Sequence, residues 1–105
     1  MDKMEFKKFI EHNLKEVLEA GDIKEAFKIL CENTVAYYEG TQVVFSQKFT
    51  KRIEYIIGAG KETFMPQEKV ELNDKYTVFL QSFENVSDYE KDILISLFKL
   101  CVVIK

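Results

Sequence analysis

Histidine is nearly absent: His12 is the only one in 105 residues. General-base and nucleophilic chemistry most often relies on a histidine held against its target. His12 falls on the charged side of an amphipathic segment with Glu16 one turn on, which reads as a solvated surface pair. Cys31 and Cys101 are the only cysteines and stand far apart in sequence, so no tetrahedral zinc spacing exists. Both lie inside apolar-periodic stretches, which reads as small buried hydrophobes rather than a disulfide. No catalytic residue, metal or cofactor is assigned. Arginine is equally scarce: Arg52 stands alone among 15 basic residues, so planar bidentate recognition of phosphate or carboxylate has one side chain to draw on. The N-terminal stretch carries charges throughout, without the apolar run of a signal peptide. The expectation is a cytoplasmic protein with no membrane segment.

Glycine and proline are few, with four and one respectively, and they punctuate the chain at informative places. "GAGKETFMPQEK" holds two glycines and the only proline and reads as the one long connection. Its "GAGKET" is only superficially like a phosphate loop. Tyr55 stands where the earlier glycine is required, and Glu62 follows the lysine where serine or threonine should be.

What the chain does have is apolar periodicity. The hydrophobic content is 47%, enough for a single core, so residues 1–105 are read as one domain. From Lys3 to Ala20, Phe6, Phe9, Ile10, Asn13, Leu14, Val17 and Leu18 gather on one side of a helical wheel. Asn13 sits in the middle of that apolar face, as a core polar group with its hydrogen bonds met. Gly21 suits a left-handed C-cap, and Asp22 with Glu25 forms an N-cap and its capping-box partner. A second helix from Ile23 to about Glu39 follows, ended by Gly40. The helical template also predicts a third helix over Thr41 to Ile57, with Phe45, Phe49, Ile53, Ile56 and Ile57 inward, and a fourth around 69–83. The alternative for the fourth is a hairpin with an Asn73-Asp74 turn. Ser87 caps the last helix, with Glu90 in the capping-box position.

That last segment is the most apolar. Ten of the twelve residues from Ile93 to Ile104 are hydrophobic, short of the roughly 20 that a membrane span needs. On a wheel, Asp92, Ser96 and Lys99 fall in one strip about 60° wide, which predicts a core helix with a single solvent-facing stripe. The expected fold is an all-α bundle of about five helices with the C-terminal helix central. The alternative is α+β with a small hairpin near 69–81.

"LKEVLEAGDIKEAFKIL" resembles the turn between the two helices of a tetratricopeptide unit. The likeness covers about twenty residues, lacks the signature tryptophan, and implies an antiparallel helical hairpin. A helix-turn-helix reading around Ala36 and Gly40 fails because Glu39 stands where an apolar residue belongs.

The formal net charge is −3 with both signs interspersed, which disfavours binding to nucleic acid by bulk charge. One outer face of the predicted third helix groups Val44, Lys48, Lys51, Arg52 and Tyr55, and this is the candidate contact patch. The resulting expectation is a non-enzymatic protein-binding module, an inhibitor acting by occlusion in the manner of immunity proteins and antitoxins. The alternatives are a small regulator or adaptor touching nucleic acid through the basic patch, and a small enzyme working with carboxylates.

Overall fold

The computed structural model describes residues 3–62 and 66–105. Helices α1 (Lys3–Glu19) and α2 (Ile23–Tyr37) come first. Their antiparallel pairing follows from Phe9 stacking on Tyr37 at 4.1 Å and Asn33 Nδ2 donating to Asn13 Oδ1 at 3.0 Å. The turn between them is built from the side chains the sequence marks out. Asp22 Oδ1 accepts from the Glu25 N–H at 2.8 Å, and Glu25 Oε2 accepts from the Gly21 N–H at 2.9 Å. Gly21 is not left-handed; the glycines with positive φ are Gly40 at 87° and Gly60 at 95°.

The middle of the chain corrects the all-α expectation. Thr41 to Ile57 is not a helix but the larger part of a hairpin, β1 (Gln42–Lys48) and β2 (Ile53–Ala59). Phe49 and Arg52 close it by exchanging backbone hydrogen bonds around Thr50 and Lys51. The fourth predicted helix is a second hairpin, β3 (Gln67–Glu71) and β4 (Tyr76–Gln81). Its turn is the Asn73-Asp74 one: Asn73 Oδ1 accepts from the N–H groups of Lys75 and Tyr76 at 2.8 and 2.7 Å. All pairings are antiparallel in the order β2-β1-β4-β3. Among the described residues the protein is therefore α+β, with three helices and one four-stranded sheet. Thr63 to Met65, part of the long connection read from the sequence, lie outside the described residues.

Period-2 alternation explains the strands. Val43 and Phe45 on β1 pair with Leu80 and Val78 on β4, and all four are buried under the helices. Val78, the one apolar residue of its segment that a helical wheel leaves outside, is fully buried. On β2, Ile57 pairs with Phe45 and Tyr55 with Ser46, so Ile56 is an extra residue without a β1 partner. That bulge breaks the strict alternation of the strand and helps a helical template to fit it.

The last helix, α3 (Asp88–Ile104), is where the sequence puts it, with Ser87 Oγ accepting from the Glu90 N–H at 3.2 Å. Asp92, Ser96 and Lys99 are exposed, and Leu94, Leu97, Phe98 and Cys101 are buried. Its end is only half covered: Cys101 is enclosed while Leu100, Val103 and Ile104 are exposed. Lys105 Nζ donates to the carbonyls of Leu18 and Ala20, at 3.2 and 2.7 Å, tying that end to the close of α1. Helices α2 and α3 pack on one face of the sheet and α1 lies on those two helices.

Gly60 is the position where the backbone admits nothing larger. A Cβ there would overlap the Thr41 carbonyl oxygen and come within 2.9 Å of Gln42 Cα, and φ is already +95°. Gly60→Ala is expected to lower stability by at least about 2 kcal/mol, read as a fall in the urea midpoint with an unchanged slope. Gly40→Ala, where φ is +87° with open space around the added carbon, should cost about 1 kcal/mol.

Candidate functional site

Two surfaces bring chemically distinct side chains together: the sheet face turned away from the helices, and a cleft between α1 and the start of α3.

The sheet face follows from strand register. On β1, Val44, Ser46 and Lys48 point away from Val43 and Phe45; their partners Phe79 and Thr77 on β4, and Gly58, Tyr55 and Ile53 on β2, share that side. Lys69 joins them opposite Phe79. No described helix packs on this face. Ser46, Thr77 and Gln81 on it are buried, while Ile53 and Tyr55 on β2 are 41% and 67% exposed.

The predicted patch is thus partly assembled, for a different reason. Val44, Lys48 and Tyr55 share the sheet face by alternation across two strands, not by helical spacing. Lys51 lies in the hairpin turn and Arg52 at its close, at one end of the face. The cations are not all available. Lys48 Nζ pairs with Glu71 Oε1 at 3.3 Å and Arg52 Nε with Glu54 Oε1 at 2.7 Å. The Arg52 guanidinium also lies 5.0 Å above the Phe49 ring. Sequence reading missed Phe79 and Lys69, which reach this surface only through strand pairing. It also turned Ile53 inward, because helical spacing aligns it with Phe49 and Ile57.

The cleft has a volume of about 730 Å³. Phe6, Lys7, Ile10 and Glu11 of α1 line it with Val86 and with Ile93 of α3, and Tyr89, also in its lining, is exposed. Tyr38 and Glu90 also line it, and the Tyr38 phenol donates a short hydrogen bond to Glu90 Oε1. The sequence assigns Glu90 a local task, reaching back to cap its own helix. The structure gives its N–H to Ser87 but sends its carboxylate across to Tyr38. Burial, followed by the hydrogen bond and charge of Glu90, holds the Tyr38 phenol far above its ordinary pKa, so it stays a donor.

No family model matches the chain, and no curated protein matches it significantly. The functional reading therefore rests on these two surfaces.

Elsewhere the chemistry-bearing residues take structural places. His12 Nε2 lies against Glu16 Oε1 on the outside of α1. Asn13, fully buried, donates to the Phe9 carbonyl at 2.8 Å and accepts from Asn33, so the polar residue on the apolar face has its hydrogen bonds met. Among the described residues no group of three or more histidine, cysteine or acidic side chains is placed to hold a metal ion. No described helix is long and apolar enough to cross a membrane.

Cys31 and Cys101 are free and fully buried, and burial pushes both thiols up to about 11. Thiols in the unfolded chain ionise near 9.0 while the folded ones stay neutral to about 11. Stability is therefore expected to be level below pH 9.0 and to fall between pH 9.0 and about 11. The slope should be roughly 1.4 kcal/mol per pH unit for each thiol. Tyr38 acts in the same direction above its ordinary 10.0. Urea midpoints measured across this range should show the decline, and a Cys31→Ala, Cys101→Ala double variant, though less stable throughout, should show a shallower one.

Proposed function

We propose that the protein is a non-enzymatic binding module that inhibits a protein partner by occlusion, as immunity proteins and antitoxins do, and that it meets the partner with the uncovered face of its sheet. One observation carries the reading. Ile53 and Tyr55 stand exposed beside half-buried Val44 and Phe79 on a sheet face that no described element covers. Aromatic and arginine side chains are the types that anchor interfaces, and backbone held in paired strands needs little ordering on binding.

Charge indicates what the partner presents. Around this face Lys48, Lys51, Arg52 and Lys69 stand against Glu54 and Glu71, four cations to two anions, while the whole chain carries −3. Adding Lys75 and Asp74 from the neighbouring turn leaves the surplus at two. The face therefore suits a protein surface whose apolar anchors are flanked by acidic groups. Nucleic acid suits it less well. Two of its four cations are already ion-paired, so few phosphate counterions would be released on binding.

The test is recovery of the partner with the whole chain as bait, followed by reconstitution from purified components. A stoichiometric complex that suppresses the partner's activity is expected, weakened by about 2 kcal/mol or more in Tyr55→Ala. Because Tyr55 is 67% exposed, thermal stability should barely change. A nucleic acid ligand released steeply by salt, or turnover of a small substrate, would overturn the reading.

A further inference from the structure

The cleft between α1 and α3 is independent of the sheet face and has a chemical bias of its own. Phe6, Ile10, Tyr89 and Ile93 give it an apolar and aromatic lining, and its charged lining is one lysine, Lys7, against two acids, Glu11 and Glu90. One oxygen of the Glu90 carboxylate accepts from Tyr38. The other has no hydrogen-bond partner among the described residues.

The cations near it are engaged elsewhere. Lys7 on the rim pairs with Glu11 one turn on, at 3.9 Å, and Lys91, next to Glu90 in sequence, is ion-paired with Glu68 of β3. A helix N-terminus lies beside the cleft and would by itself favour an anion. That end is already answered from within the chain, since Ser87 Oγ takes the Glu90 N–H and Asp88 and Glu90 place two acids in the first turn. What remains is a carboxylate without a cation in an aromatic-walled cavity of about 730 Å³, within the size range of small-ligand sites.

We infer that this cleft is a binding site for a small organic ammonium compound with an apolar arm. Its charged head meets Glu90 beside the exposed ring of Tyr89, and its arm lies along Phe6, Ile10 and Ile93. A charge-assisted hydrogen bond to the carboxylate and attraction to the ring faces both favour a cation. The Tyr38 hydroxyl, locked as a donor to Glu90, fixes the carboxylate before the ligand arrives. An anion would meet two carboxylates, Glu11 and Glu90, against a single lysine, Lys7, that already pairs with Glu11.

Three probes of one shape separate this from a non-selective greasy cleft: phenethylammonium, 2-phenylethanol and 3-phenylpropanoate, titrated into the full chain and followed by amide and side-chain NMR. The ammonium is expected to bind saturably in the millimolar range, with shifts at Phe6, Tyr38, Tyr89 and Glu90. The alcohol should bind about tenfold more weakly, and the carboxylate should not saturate. Glu90→Gln should reduce the ammonium to the affinity of the alcohol. Should that variant fail to fold, Tyr89→Ala, on an exposed residue, should still weaken the ammonium severalfold. Equal affinity for all three probes, no saturable shift with the ammonium, or shifts that map away from the cleft would overturn the inference.

Discussion

Three phenylalanines hold this molecule in its arrangement. Phe27 of α2 stacks on Phe45 of β1 at 4.2 Å with the rings 4° from parallel, and Phe98 of α3 meets the same Phe45 edge-on at 5.2 Å. All three are fully buried. Each buried ring contributes about 2–3 kcal/mol of transfer free energy, with about 1 kcal/mol more for each aromatic pair. The consequence is geometric as much as energetic. Phe45 belongs to a central strand, so the side chain that anchors both helices also fixes which face of the sheet they cover. The opposite face, with Val44, Lys48 and Tyr55, is left uncovered by the same act.

The second helix layer depends on that anchor in turn. With α2 and α3 seated on the sheet, α1 closes over them, and its one buried polar residue is accommodated by Asn33 of α2 and its own backbone. Along the first half of α1 the closure leaves a cleft. Phe6, Ile10 and Ile93 line it. Tyr38 and Glu90 link the end of α2 to the start of α3 there, and a hydroxyl that burial keeps protonated serves as a permanent donor. The two candidate surfaces are therefore by-products of one packing solution: one is the side of the sheet that received no helix, the other a cleft between α1 and the start of α3.

The three helices were legible because their determinants are local. The capping side chains Asp22 and Ser87 bond to groups three residues away, and the stripe Asp92, Ser96, Lys99 is exposed as a helical wheel predicts. The strands were not, because a strand is stabilised by partners distant in sequence. Leu72, Tyr76, Phe79, Leu80 and Phe83 satisfy helical spacing well enough to mask the alternation of Tyr76, Val78 and Leu80. The alternation prevailed because Val78 had Phe45 to pair with, 33 positions back in the chain. For the contact patch, Val44, Lys48 and Tyr55 share one face by strand alternation rather than by helical spacing, since even-numbered positions of β1 also meet a helical criterion over short spans.

By itself, then, the sequence determined the capped starts of the second and last helices, the polar strip of the last helix, the internal hydrogen-bonding of Asn13 and the burial of both cysteines. Each follows from residue type and spacing within a few turns of chain. Only the tertiary structure decided that residues 42–81 pair as a sheet, that Tyr55 shares a surface with Phe79, and that Glu90 turns from its own helix toward Tyr38. Those outcomes depend on contacts between segments far apart in sequence, whose free energy no local window contains.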